Sequence, residues 1–474
     1  MIIYLKGFDQ MLKKLTVVVL ALLMVLSLAA CDKNYDESDL PKYEAQQFEL
    51  AGLWAPHEIT EAAFNQYKDA GFNVLSFTNH DDVPRTSENQ YYVGSKRTEE
   101  ALKICKNIGI DVYLAYGASW FNRDNEGDEY FDNKPFSTYN LYGEYMDIIK
   151  GVHINDEPNK ETMAKLANDD LINDYVSVYG DRKYMVNLIP ATAVTSRDFV
   201  DYDEMLQIYG ETIMSKFENP YICVDVYPYS KSQNPESMIM DNYNKIAECA
   251  KKYNAETTFI LQSSTGTEFL ETLTEQDMRQ QVYLALAFGA DNLQYYCYSV
   301  PRTQMDDGSV KYLYNHCMLN HDGTPNQLYY DVKTVNNEIQ QFASAILAYN
   351  WKQTIGTSGT EDQTFRVSAI EYDANFEIVN IEDSKNYVSA TGTQDLVISQ
   401  FESEKHGEAF MFVNFGRNDG KVNTVNATFK DCGAVAIYGG EGYSGTPEIV
   451  KLDEEGKLTL NLNYGEGVFV TPLK

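Results

Sequence analysis

The most informative chemical feature of the sequence is a pair of adjacent acids in the segment GVHINDEP, residues 151–158. Asp156 and Glu157 follow a short apolar run and precede Pro158, so they lie where a strand ends. A carboxyl group that is buried beside a like charge keeps its proton to higher pH, as a general acid must. The pattern predicts that Glu157 is a general acid/base and that Asp156 assists it. Helix capping by Asp156, with Pro158 in the first turn, is the alternative interpretation.

Further carboxylate, amide and aromatic side chains follow other apolar runs. Asp225 ends one of these runs and is a candidate second carboxylate, with binding of a sugar hydroxyl or of a neighbouring strand end as its alternatives. Carboxylates transfer protons, amides bind hydroxyl groups, and aromatic faces stack on sugar rings. The candidate substrate-binding residues are Trp54, His57, Asn79, Tyr116, Trp120, Asn187, Tyr227, Gln262, Tyr296 and Tyr298.

Eight short apolar runs, alternating with amphipathic helical patterns, carry these residues. The runs are 48–55, 72–79, 110–117, 151–156, 184–190, 221–229, 257–264 and 291–299. Alternating strands and helices predict a parallel sheet, and eight repeats over residues 48–350 predict a closed (β/α)8 barrel. An open doubly wound sheet is the competing fold, but its Gly-rich phosphate turn is missing after the first run, which ends in LWAPHE. In such a barrel the active residues lie at the carboxyl ends of the strands.

Residues 48–349 resemble the (β/α)8 glycoside hydrolases. In that superfamily an acid/base Glu follows the fourth strand, commonly as Asn-Glu-Pro, and here the segment reads Asp156-Glu157-Pro158. The segments ALAFGADNLQYYCYS and NHDGTPNQLYYDVKTVNNEI resemble the approach to the eighth strand and the exit from the barrel in β-galactosidase-like members. The resemblance implies hydrolysis of a glycosidic bond in an oligosaccharide or polysaccharide, without a cofactor.

One position departs from the pattern of the retaining members, whose nucleophile is a Glu at the end of the seventh strand. Here that strand ends in Gln262, and an amide cannot attack an anomeric carbon as a carboxylate does. Three explanations are open. A substrate 2-acetamido group is the nucleophile, since Asp156-Glu157 resembles the acid pair of β-N-acetylhexosaminidases, where a tyrosine such as Tyr227, Tyr296 or Tyr298 holds the acetamido carbonyl. Alternatively, Asp225 activates water in an inverting reaction, or the barrel is inactive and only binds glycans.

The two ends of the chain have different characters. Two lysines, an apolar stretch and Leu28-Ala29-Ala30-Cys31 resemble a bacterial lipoprotein signal, which predicts cleavage after residue 30 and lipidation of Cys31. Residues 31–47 are acidic and are expected to form a tether, so the protein is predicted to be secreted and anchored to a membrane. After a linker at 351–365, short β-rich runs over 366–474 predict an accessory β-sandwich.

Composition excludes several other classes of function. The formal net charge of −32 argues against nucleic-acid binding, which needs a basic surface. The seven cysteines form no CxxC pair and have no zinc-like spacing with histidine, so no metal site is expected. Cys105, Cys223, Cys249 and Cys297 fall in apolar periodic segments and are interpreted as buried small hydrophobic residues.

Overall fold

The computed structural model confirms a closed (β/α)8 barrel followed by antiparallel sheets. It describes residues 34–77, 96–115, 143–230, 235–265, 270, 272–305, 307–357, 371–373, 381, 383–415 and 421–473. Each barrel strand is parallel to the next, and the eighth pairs with the first. The barrel strands are β1 (Glu49–Gly52), β2 (Val74–Ser76), β3 (Asp111–Ala115), β4 (Ile149–Asp156), β5 (Lys183–Leu188), β6 (Tyr221–Asp225), β7 (Glu256–Gln262) and β8 (Asn292–Tyr296).

Helices follow most of these strands and cover the barrel. Side-chain oxygens cap the N-termini of several of them. Thr60 is the N-cap of α1, and Thr274 and Asp277 form a capping box at the start of α7. The described α-helices are α1 (Glu61–Asp69), α2 (Lys96–Ile108), α3 (Lys160–Leu166), α4 (Asp169–Tyr179), α5 (Tyr202–Thr212), α6 (Pro235–Tyr253), α7 (Glu275–Ala287), α8 (Gln327–Gln340) and α9 (Ala343–Ile346). The described 3-10 helices are Glu37–Asp39, Gly143–Tyr145, Ala191–Arg197 and Met214–Lys216.

The interior of the barrel is filled with side chains and is polar at its base. In β8, Leu293 and Tyr295 pack outward against the helices, while Tyr296 belongs to the inner cluster. At the amino-terminal end, the Lys183 ammonium contacts Glu49 at 2.5 Å and Glu256 at 3.2 Å. These ion pairs connect the starts of β1, β5 and β7 across the base of the barrel.

The C-terminal domain is built from two facing sheets whose strands are antiparallel except for the parallel pair of Asn350–Thr357 with Glu371–Asp373. The larger has the order β12-β11-β14-β15-β20-β17-β18, and the smaller has the order β13-β16-β19. Their facing side chains, such as Ile398, Phe412 and Leu460, form a separate core. The strands are β11 (Asn350–Thr357), β12 (Glu371–Asp373), β13 (Tyr387–Gly392), β14 (Leu396–Ser403), β15 (Gly407–Asn414), β16 (Asn423–Phe429), β17 (Ala434–Tyr438), β18 (Glu448–Lys451), β19 (Lys457–Leu462) and β20 (Gly467–Leu473). A hairpin, β9 (Arg302–Gln304) with β10 (Val310–Tyr312), follows the barrel.

Two of the predicted boundaries differ from the structure. The linker predicted at 351–365 is wrong in its first part, because residues up to Thr357 form β11 and pair with β14. The described part of the predicted tether, residues 34–47, is mostly exposed, but side chains such as Tyr43 attach it to the domains. The Tyr43 ring lies 6.2 Å from Tyr349 and 4.9 Å from His406, and the Gln46 amide donates to Ser344. Burial of these aromatic faces outweighs the acidic composition of the segment.

No helix in the described part of the chain is long and apolar enough to cross a membrane. The predicted signal segment 1–30 and the predicted lipidation site Cys31 lie outside the described residues.

Candidate active site at the carboxyl end of the barrel

Two acids at neighbouring strand ends are connected by one amide. Asn187 in β5 donates from Nδ2 to Asp156 Oδ1 at 2.9 Å and to Asp225 Oδ1 at 3.0 Å. Because β4, β5 and β6 are adjacent and parallel, their ends meet at one edge of the mouth. The structure therefore brings together Asp156, Asn187 and Asp225, three of the predicted site residues.

Asp225 is the most deeply buried acid of this group. Only 4% of its surface is exposed. Burial raises the pKa of Asp225 well above its usual range, and the charges of Glu157 and Asp156 raise it further. Hydrogen bonds from Asn187 and Tyr227 act in the opposite direction. The acid of this group whose pKa is raised by burial is therefore Asp225, the candidate second carboxylate.

Glu157 occupies a turn that leaves β4. Its φ of +44° lies in the left-handed region, which is costly for a residue with a side chain, and its N–H donates to the Asn187 carbonyl at 2.8 Å. The Glu157 carboxylate contacts Arg197 Nη2 at 2.5 Å, with 19% and 22% of the two side chains exposed. Arg197 ends the 3-10 helix Ala191–Arg197 that follows β5, so this ion pair lies on the mouth side of the barrel.

The next helix begins without help from Asp156. The N-cap of α3 is Asn159, whose side chain accepts from the Thr162 amide at 2.8 Å. The capping alternative for Asp156 is therefore wrong. Asp156 is half-buried and its carboxyl group is oriented by Asn187.

An aromatic wall adjoins the acids. Tyr227 and Tyr296 stack with ring centroids 5.1 Å apart at an interplanar angle of 29°. Trp54 packs edge-on against Tyr296 at 5.3 Å, and Tyr314 does so at 6.0 Å. Tyr227 lowers the pKa of Asp225, so the wall adjoins the acid cluster. Half-buried tyrosine rings in this arrangement offer apolar faces and hydroxyl groups to a ligand.

The structure places two predicted ligand-binding residues elsewhere. Tyr298 is fully buried in the outer core, with its ring 4.8 Å from Tyr67 and 6.0 Å from Phe72. Gln262 is also fully buried, and its Oε1 accepts from the Tyr229 amide at 2.8 Å. Gln262 Nε2 donates to the Ser264 carbonyl at 3.2 Å. Both side chains serve the protein scaffold, because Tyr298 packs in the outer core after β8 and the Tyr229 main chain binds Gln262 at the end of β7.

Of the four remaining predicted residues, His57 lies in the described part of the chain. His57 is half-buried, and its carbonyl accepts from Arg97 Nη2 at 2.5 Å. Asn79, Tyr116 and Trp120 lie outside the described residues. Within the part of the chain that the structure describes, no group of three or more His, Cys, Asp or Glu side chains is arranged to hold a metal ion.

Comparison with known proteins agrees with this architecture. The sequence matches no protein-family model, and no curated protein matches it significantly. A catalytic mutant of a GH42 beta-galactosidase from G. stearothermophilus is similar, with a TM-score of 0.55, 9% identity, and coverage of 91% of this chain and 100% of that one. A glycoside hydrolase family 5 protein from Bacteroides vulgatus has a TM-score of 0.51, 12% identity, and coverage of 90% and 89%.

The fold shared with these two proteins is the (β/α)8 barrel. A further structure described as a glycoside hydrolase has a TM-score of 0.50 at 12% identity, covering 90% of this chain and 92% of that one. At these identities the likeness concerns the fold, and the chemistry has to be argued from the side chains of this chain.

Two residues of the site were not predicted from the sequence. Arg197 contacts Glu157 from a 3-10 helix 40 residues further along the chain. Tyr314 reaches Tyr296 from the segment after β10, with the two hydroxyl oxygens 3.4 Å apart. Neither residue ends an apolar run, so the strand-end rule does not select them. The sequence feature that could have indicated Arg197 as a site residue is its position in the segment that follows the fifth predicted strand.

Proposed function

We propose that this protein is an extracytoplasmic glycosidase that hydrolyses 2-acetamido sugars, with Glu157 as the general acid/base. The observation that carries the proposal is the acid cluster at the barrel mouth, where Asn187 holds Asp156 and Asp225 beside an aromatic wall. Glycosidic bond cleavage needs a proton donor and stabilisation of positive charge at the anomeric carbon. The fold shared with glycoside hydrolases is consistent with such a reaction.

Asp156 is the better partner for Glu157 because Asp225 is poorly suited to act as a base. A base that activates water must be ionised and must reach the water, whereas Asp225 is almost inaccessible and its pKa is raised by burial. Gln262 is buried and lacks a carboxylate, so it cannot form a glycosyl-enzyme ester. A nucleophile supplied by the substrate removes the need for a second protein carboxylate.

In this mechanism the half-buried Asp156 accepts a hydrogen bond from the acetamido N–H, and this orients the carbonyl oxygen toward the anomeric carbon. Glu157 donates a proton to the leaving oxygen and later removes one from the attacking water. Glu157 is paired with Arg197 in the free protein, so before it can act as an acid the guanidinium has to be displaced and the carboxylate has to take up a proton from solvent. The tyrosine wall formed by Tyr227 and Tyr296 stacks on the sugar.

The test compares aryl N-acetylhexosaminides with the corresponding plain hexosides, using the wild type and Glu157→Gln. We expect turnover of the acetamido sugars only, reduced about 100-fold or more in Glu157→Gln, as is typical for removal of a general acid. Glu161→Gln is the matched control, because this exposed side chain lies in the first turn of α3. Turnover of plain hexosides that depends on Asp225 would contradict the substrate-assisted mechanism.

A second candidate function is glycan binding without hydrolysis. Two observations favour it: Gln262 at the end of β7 and the ion pair that occupies the Glu157 carboxylate. This candidate predicts that acetamido glycans bind to the wild type and to Glu157→Gln with similar affinity and are not cleaved. Calorimetric titration with product analysis separates the two functions.

The cellular location forms part of the same proposal. The segment Leu28-Ala29-Ala30-Cys31 is the basis for cleavage after residue 30 and lipidation of Cys31. Metabolic labelling with a fatty acid is expected to mark the wild type and not Cys31→Ser. Equal labelling of both proteins, or of neither, would contradict the anchor.

A further inference from the structure

Two cysteines lie in contact beneath the aromatic wall. Cys297 directly follows Tyr296 at the end of β8, and Cys317 follows β10. Their Sγ atoms are 3.3 Å apart, and both residues are fully buried. The segment between them carries Tyr314, which packs against Tyr296.

The main chain on each side fixes this approach independently of the thiols. The Ser263 amide donates to the Tyr296 carbonyl at 2.7 Å, and Ser263 Oγ donates to the Cys297 carbonyl at 3.2 Å. These bonds tie Cys297 to the end of β7.

Cys317 is held by a different set of contacts. Its carbonyl accepts from Asn326 Nδ2 at 2.9 Å, and its amide donates to the Leu319 carbonyl at 3.2 Å. Leu319 in turn donates to the Tyr298 carbonyl at 3.2 Å, which brings the segment back to the extension of β8. The two sulfurs therefore face each other because of backbone geometry.

We propose that Cys297 and Cys317 are a disulfide site whose cross-link fixes the segment carrying Tyr314 against the aromatic wall. A disulfide requires an S–S distance of about 2.05 Å, so each sulfur has to move by only about 0.6 Å. Cross-linking restricts the unfolded chain more than the folded one, which stabilises the protein.

The oxidant is a disulfide of the exchange class, such as glutathione disulfide or the disulfide of an extracytoplasmic dithiol oxidase. One cysteine thiolate attacks the oxidant disulfide and forms a mixed disulfide, and the second thiolate then displaces the remaining oxidant sulfur. The Cys297–Cys317 bond forms, the oxidant S–S bond breaks, and the two cysteine protons end on the two thiols released from the oxidant. The cysteines are oxidised and the oxidant is reduced.

The cross-link is expected to form during folding. Burial raises the pKa of the Cys297 thiol well above its usual range, so the folded protein presents little of the reactive thiolate. While the chain folds, both thiols are still accessible to the oxidant.

The experiment refolds the full chain from denaturant with glutathione disulfide, with a sample in dithiothreitol as the reduced reference. Free thiols are then alkylated in denaturant, and the protein is digested without reduction. We expect two fewer alkylated cysteines and a linked peptide pair containing Cys297 and Cys317, two hydrogen atoms lighter than the sum of its parts. The oxidised sample is expected to unfold at a temperature several degrees higher than the reduced one.

Control variants connect the result to this pair. Cys317→Ser is expected to lose both the linked peptide and the temperature shift, whereas Cys105→Ser, a buried thiol in α2, keeps both. If refolded wild type carries Cys297 and Cys317 as alkylated thiols, or links either of them to another cysteine, the proposal is wrong. Peptide mapping of the wild type gives this answer even if a variant fails to fold.

Discussion

The Asn187 side-chain amide donates hydrogen bonds to two carboxyl groups. One hydrogen goes to the half-buried Asp156 and the other to the buried Asp225. Because an amide nitrogen only donates, each acid must present an acceptor oxygen to it. Asp225 can meet this requirement and still keep a proton on its other oxygen, whereas Asp156 stays oriented toward the mouth. The buried acid thus supports the one that is accessible.

The raised pKa of Asp225 predicts a pH-dependent gain in stability from Asp225→Asn. An acid whose folded-state pKa lies above 3.8 stabilises the fold below that pH and loses this contribution as the pH rises through the folded pKa. Near neutral pH the variant is therefore expected to have a higher free energy of unfolding than the wild type. The difference should shrink as the pH falls from the raised folded-state pKa toward 3.8, with a slope of at most about 1.4 kcal/mol per pH unit, and should level off below that pH.

Urea unfolding over a series of pH values measures this difference, and Glu100→Gln, at an exposed position in α2, is the control for loss of one charge. The asparagine can still accept from Asn187 through its own Oδ1. A destabilisation of Asp225→Asn that is the same at every pH would contradict the assignment of a raised pKa.

The Glu157–Arg197 ion pair is expected to contribute more than a surface pair. With about a fifth of each side chain exposed, the charges are less screened than in Lys245–Asp203, where the side chains are 39% and 73% exposed. Double-mutant cycles with Glu157→Gln and Arg197→Met should give a coupling of about 1–3 kcal/mol. The Lys245→Met and Asp203→Asn cycle should give about 0–1 kcal/mol. Equal couplings would mean that the Glu157 carboxylate is effectively solvated.

At the scale of elements, the sequence predicts the barrel strands well and the contacts between loops poorly. Each of the eight predicted apolar runs overlaps one strand of the closed barrel, because a parallel strand covered on both faces reads as an uninterrupted apolar run. The same rule selects Asp156, Asn187 and Asp225 by their positions at strand ends. It also selects Tyr298, which is wrong because β8 ends at Tyr296 and the chain then turns into the outer core.

The sequence also does not predict the contact between Arg197 and Glu157. The partner of Arg197 is 40 residues away and is reached through the turn of a 3-10 helix, so no periodic pattern relates the two positions. The packing of residues 34–47 is missed in the same way, since Tyr43 finds its ring partners Tyr349 and Tyr438 far along the chain.

A buried histidine inside the barrel gives the second pH prediction. His153 in β4 is 2% exposed, its Nε2 is 2.9 Å from Ser76 Oγ, and burial lowers its pKa from 6.5 to about 3. Between these two values the unfolded chain binds a proton that the folded protein does not, so stability falls as the pH drops below about 6.5. We expect His153→Gln to lose this fall, which amounts to as much as about 1.4 kcal/mol per pH unit.

Chemical unfolding between neutral pH and about pH 4 tests this expectation, since global acid effects are shared by the wild type and the variant. His321→Gln is the control, because this imidazole is exposed. Parallel plots of stability against pH for the wild type and His153→Gln would contradict the prediction. They would mean that the imidazole takes up a proton in the folded protein, or that the barrel unfolds before the imidazole is protonated.

At the scale of the whole molecule, the barrel and the β-domain share helix α7. Every residue from Asp277 to Ala287 is buried, which a helix with one solvated face cannot achieve. The β-domain covers its outer side. The Gly440 amide donates to the Tyr283 hydroxyl at 3.1 Å, and Gln280 Nε2 donates to the Phe415 carbonyl at 2.6 Å. The two domains are therefore expected to unfold together.

Alanine substitutions at two glycines with similar positive φ values distinguish the loss of domain docking from the cost of local backbone strain. Gly465 has a φ of +73°, and a Cβ there would lie 2.4 Å from the Gln276 carbonyl oxygen in α7. Gly442 has a φ of +80°, and a Cβ there would meet nothing within 4 Å. Alanine in the left-handed region costs about 1–2 kcal/mol at either position. Only Gly465→Ala also forces the β-domain away from α7, which adds about 1–3 kcal/mol.

Calorimetry of the two variants measures both quantities. We expect Gly465→Ala to unfold at a lower temperature than Gly442→Ala while both keep a single transition, because the loss of docking destabilises barrel and β-domain alike. If Gly465→Ala instead splits the transition into two, with one close to the wild-type temperature, each domain is stable without the other. The buried face of α7 would then be a contact between independent units, and the β-domain would not be required to hold the barrel and its mouth together.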